Sequence, residues 1–106
     1  MIRISFLYNE AESITGFEFK GHAGFAESGQ DIVCAAVSAL VFNTMNSIEA
    51  FTSSDFDVKM DEKKGHIYFK MNSEPDDKTE LLLKSLNLGV REIQKSYGKK
   101  YIRIEN

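Results

Sequence analysis

The chain of 106 residues has no tryptophan, one proline, one cysteine and two histidines. A lone cysteine excludes an internal disulfide and suits a reducing cytoplasm. The paired Cys or His spacings of a zinc site are also missing, so neither a metal nor another cofactor is expected. There is no basic excess: the net charge of −3 gives no electrostatic reason to expect nucleic acid as a direct partner. That sign permits, weakly, attraction to a basic protein. No apolar run approaches the roughly 20 residues of a membrane span, and Met1 to Tyr8 is too short and too alternating for a signal peptide. A membrane is therefore not an expected partner.

What is present reads as one domain, 1–106, with apolar and charged fractions ordinary for a soluble globular protein. A chain of this length buries roughly 65% of the surface it exposes when unfolded. Ile2, Ile4, Phe6 and Tyr8 alternate with polar neighbours, and 14–20 resumes the pattern with Phe17 and Phe19 inward, so the two segments form a hairpin. Asp31 is placed to cap a helix that runs through Met45, Ile48 and Phe51. That helix is apolar nearly all round, which predicts burial on every side, by sheet, a second helix or a partner subunit. Phe56, Val58 and Met60, a turn at 62–65, then Ile67, Phe69 and Met71 make a second hairpin. The only proline lies in the linker 72–76. Asp77 with Glu80 resembles a capping box, and Leu82, Leu86, Val90, Ile93 and Tyr97 recur at helical spacing up to Gly98. Gly89 inside that helix costs about 1 kcal/mol unless another helix approaches it closely. Residues 101–104 complete a ββαββαβ order. The fold class is α+β: two layers, an antiparallel or mixed sheet of four to five strands with two helices packed on one face.

Chemistry concentrates in the stretch from Gly21 to Ala36, which holds the cysteine and one histidine. Cys34 falls in the first turn of the first helix, where free N–H groups and the helix dipole favour a thiolate. His22 lies in the preceding loop, from which it can fold back to exchange a proton with the sulfur. Gly21, Gly24 and Gly29 give that loop freedom to open and close on an extended substrate, and helix N–H groups are available for an oxyanion. Each residue also has a structural explanation. Cys34 fits a core position, His22 a hydrogen-bonded loop position, and Asp31 a cap rather than an orienter of His22. Ser38, one turn beyond Cys34, either bonds to a carbonyl or touches the site. Phe25 serves as a loop anchor or as a substrate contact, and His66 is placed on the surface.

The segments Gly21-His22-Ala23 and Gly29-Gln30-Asp31-Ile32-Val33-Cys34-Ala35-Ala36 resemble the signature of the bacterial ribosomal-processing cysteine protease family Prp. Asp31 and Ser38 match its pattern, and Leu-Gly-Val at 88–90 agrees in outline. The resemblance implies a cytoplasmic cysteine endopeptidase of low-GC Gram-positive and related bacteria. Such enzymes remove a short N-terminal extension from the precursor of a large-subunit ribosomal protein (number twenty-seven) before or during ribosome assembly. It implies Cys34 as nucleophile, His22 as general base, a homodimer, a mobile loop at 21–30 and an aromatic substrate residue just before the cut. Two other classes stand beside it: a non-catalytic ribosome-assembly module that binds the same N-terminal segment, and a redox-sensing thiol, which lacks a resolving cysteine within the chain. A Cys–His ion pair predicts activity lost at both low and high pH.

Overall fold

The structure is a computed structural model, and its description covers residues 1–27 and 30–106. Strands β1 (Ile2–Tyr8) and β2 (Ile14–Lys20) precede helix α1 (Ile32–Phe51). Strands β3 (Phe56–Asp61) and β4 (His66–Met71), helix α2 (Asp77–Tyr97) and strand β5 (Ile102–Ile104) follow. The five strands form one sheet in the order β3-β4-β2-β1-β5. Three of its pairings are antiparallel, and β1 with β5 is parallel. The sheet is mixed, with both helices on one face, as the pattern of elements predicts.

Alternation decides which face is buried. Phe6 pairs with Phe17 and Ile4 with Phe19 across β1 and β2, and Phe17 stacks on Phe69 of β4 with ring centroids 4.8 Å apart. These side chains meet Val33, Val37, Val41 and Ile48 of α1, and Leu83, Leu86 and Val90 of α2, in one core. Burial of apolar area on this scale, at roughly 25 cal/mol per Å2, is the main stabilising contribution. The helices approach closely at Gly89, where a Cβ would lie 2.7 Å from Leu40 Cδ1. That contact offsets the helical cost of this glycine.

Several expectations are corrected. Within this single chain helix α1 is not buried on every side: Ile32 is 51% exposed, and Ala35, Ala39 and Phe42 are also exposed. The sheet takes one flank and α2 a second, leaving a third open. Its 20 residues are also long and apolar enough, by length and composition, to cross a membrane, contrary to the absence of such a run. Here its valine stripe packs on the sheet. Tyr8 does not continue the inward row of β1, because a register shift between Leu7 and Tyr8 turns it to solvent. On β3, an edge strand of the sheet, the inward residues Val58 and Met60 stay exposed. The cap of α2 is Asp76, which accepts from the Thr79 N–H at 2.7 Å, and Asp77 is the first helical residue. Its buried stripe runs Thr79, Leu83, Leu86 and Val90, while Leu82 and Ile93 are half-buried and Tyr97 is exposed. His66 is only half-buried and pairs with Glu18 at 2.8 Å.

Candidate active site

Strand β2 ends at Lys20, and the chain then turns at Gly21, whose φ of +91° favours glycine. This places His22 beside the N-terminal end of α1. Asp31 caps α1 as expected: one carboxylate oxygen accepts from the N–H groups of Val33 and Cys34, each at 3.0 Å. The other accepts from Phe25 N–H at 3.1 Å, which ties the loop to the helix. Both oxygens are therefore engaged away from the imidazole. The His22 ring instead meets a main-chain group, with Nε2 3.2 Å from the Lys63 carbonyl oxygen. The His22 carbonyl accepts from the Met1 amine.

Cys34 stands in the first turn of α1, partly buried, and its Sγ accepts a hydrogen bond from Ala23 N–H at 3.1 Å. Its surroundings do not favour the thiolate that the helix position alone suggests. Burial, the largest influence, pushes the thiol up; Ala23 N–H pulls it down, and the Asp31 carboxylate raises it again. Desolvation and a neighbouring anion thus act in favour of the thiol form over the thiolate. Burial also acts to raise the Asp31 pKa. Hydrogen bonds from Cys34, Phe25 and Val33 outweigh it and hold this carboxyl below its ordinary 3.8. The helix N–H groups expected to hold an oxyanion are already taken: Val33 and Cys34 by the Asp31 side chain, and Ala35 by the Asp31 carbonyl.

Two hollows flank the sulfur. One, of about 260 Å3, reaches from Cys34 and His22 over Phe19, Val41, Phe42 and Met60. The other, of about 370 Å3, is lined by Gly24, Ala26, Asp31 and Ala35. His22, Cys34 and Ser38 belong to both, so the thiol and the imidazole sit on the divide between them. Among the described residues no direct hydrogen bond joins sulfur and ring; they face the same space from opposite elements. Phe25 is an anchor: it packs edge-on against Tyr97 and Tyr101, with centroids 5.7 and 5.1 Å away. Gly24 is exposed, and Gly29 lies outside the described residues. Phe42, Met60, Lys63, Tyr97 and Tyr101 were not legible as residues of the site or its supports. Only the β3 alternation hinted at Met60, and a main-chain acceptor such as the Lys63 carbonyl leaves no side-chain signal.

Replacing Asp31 by Asn keeps a capping oxygen and removes the anion beside the sulfur. Cys34 of Asp31→Asn should therefore be alkylated by iodoacetamide faster than in the wild type at pH 8, with the pH dependence moved to lower pH. An unchanged rate profile would mean that Asp31 does not set the state of the thiol.

An accessible thiol and an imidazole lining one cavity beside a helix start are the parts of a thiol hydrolase. The family model for cysteine protease Prp matches residues 1–103. The chain is 32% identical over 101 residues to the ribosomal processing cysteine protease Prp of Bacillus subtilis, spanning 92% of this chain and 90% of that protein. Its fold superposes with a TM-score of 0.92 on a crystal structure of the essential ribosomal processing protease Prp from S. aureus with a covalently linked product peptide. That structure is 31% identical and covers 98% of this chain and 97% of its own. A second S. aureus Prp structure, with a substrate peptide, gives 0.87 at 30% identity, covering 99% and 98%. The chain is a cysteine protease, and it belongs to the Prp family of ribosomal processing enzymes.

Proposed function

We propose that this chain removes the short N-terminal extension of the precursor of a large-subunit ribosomal protein (number twenty-seven) in the bacterial cytoplasm, using Cys34 as nucleophile and His22 as base. The observation that carries the reading is the pair of hollows meeting at the sulfur. An endopeptidase needs room on both sides of the cut, whereas a thiol buried for packing needs none. S. aureus Prp has been seen with a substrate peptide and with a covalently linked product peptide, which supports a peptide as the substrate here.

In the proposed reaction Sγ attacks the scissile carbonyl as His22 takes the thiol proton. The ring then gives that proton to the departing amine, leaving a thioester that water, deprotonated by the same ring, hydrolyses. Burial and Asp31 act to raise the thiol pKa, which favours proton removal during attack over a stored ion pair. Ala23 N–H, 3.1 Å from the sulfur, stabilises the developing negative charge.

The hollow between α1 and the sheet is walled by Phe19, Val41, Phe42 and Met60. It suits a large apolar side chain, in keeping with an aromatic residue before the cut. Replacing that aromatic residue by Ala in a synthetic peptide should lower kcat/KM by about tenfold or more. Equal rates for the two peptides would remove this hollow from the specificity. A homodimer belongs to the same proposal. The open face of α1, with Ile32 and Ala39 exposed, is the surface a second copy would cover, and sedimentation equilibrium tests it.

A further inference from the structure

The geometry points to the β3–β4 turn as the element that positions the imidazole, with the Lys63 carbonyl orienting the ring and Gly65 leaving the room it occupies. This inference rests on the reading of His22 as the base.

A carbonyl oxygen only accepts hydrogen bonds, so the 3.2 Å contact between Nε2 and Lys63 O requires the proton on Nε2. A neutral ring with Nε2–H has a bare Nδ1, which is then the atom able to take the thiol proton. When the ring becomes imidazolium the same bond persists and strengthens. In many hydrolases a carboxylate or amide side chain does this work. Here Asp31, a carboxylate lining the same hollow as the ring, has both oxygens committed to main-chain donors.

The turn is held firmly enough to serve. Lys64 N–H donates to Asp61 Oδ1 and Gly65 N–H to Glu62 O, each at 3.2 Å. Gly21 N–H, directly before the histidine, donates to Gly65 O at 3.1 Å. The loop that carries the base is thereby stitched to the turn that orients it. Gly65 has φ +61°, and a Cβ there would lie 2.6 Å from Gly21 O and 3.0 Å from His22 Cε1. Any side chain must push the ring or its peptide aside. A hairpin turn alone does not explain such a fit against a residue more than forty positions away.

The test combines kinetics with a tautomer readout. With only two histidines in the chain, 15N-labelled protein resolves both rings, and His66→Gln assigns them. Neutral His22 should carry its proton on Nε2. In Gly65→Ala and Gly65→Asn the tautomer should become mixed, and kcat should fall about tenfold to a hundredfold with KM within about threefold. Asn tolerates positive φ better than Ala, so a loss common to both reports the clash and not backbone strain. Gly98→Ala supplies strain without a clash, since φ there is +116° with nothing within 4 Å, and it should keep wild-type kcat. A proton on Nδ1 in the wild type would overturn the proposal, as would Gly65 variants that retain kcat. A protein showing Nε2–H that cuts no peptide would support the positioning and instead refute the proposed function.

Discussion

Cys34→Ala should bind a substrate peptide within about threefold of wild type and cleave it at least 10⁴-fold more slowly, on the order of losses seen when a nucleophile is deleted. The asymmetry follows from where the sulfur sits. It lies on the divide between two hollows whose walls are made mostly by other residues, so its truncation leaves most of the peptide's contacts in place. The protein should also remain folded, because Cys34 is only partly buried and the cap on α1 comes from Asp31. A binding module of the same shape would show no catalytic loss, having no cleavage to lose. Calorimetric binding with a stopped-assay rate on the same sample separates the two outcomes.

His22→Ala should reduce kcat by about 10²–10⁴-fold and change the shape of the pH profile. Burial, then Asp31, raises the Cys34 thiol above its ordinary 9.0. Without a base to take the proton, turnover depends on the small fraction already ionised. That fraction grows as pH rises, so the residual activity of His22→Ala should climb steadily past pH 9. The wild type, assisted by the ring, should reach its maximum at lower pH. Identical profiles for wild type and variant, differing only by a constant factor, would mean that the imidazole takes no part in removing the thiol proton.

Much of this arrangement is legible in the sequence because it is local. Asp31 reads as a cap since its acceptor bonds reach only two and three residues ahead, and Cys34 follows into the first turn. Both hairpins and the order of elements come from alternation and turn residues. What resisted reading depends on distant parts of the chain. Periodicity cannot assign a buried face to a helix apolar all round, so the open side of α1 emerges only from packing. Burial and the Asp31 charge act on the thiol in three dimensions, so a position at the helix end does not by itself show them. The partners of Phe25, at Tyr97 and Tyr101, lie at the opposite end of the chain. The acceptor for His22 is a peptide carbonyl, which any residue type supplies.

The account turns on peptide-bond hydrolysis at this sulfur, and intact-mass measurement after incubation with the ribosomal-protein precursor tests it most directly. The wild type should yield a short N-terminal fragment and a mature chain whose masses sum to the precursor plus one water, and Cys34→Ala should yield neither. An unaltered precursor with the wild type, or the same fragments with Cys34→Ala, would contradict it.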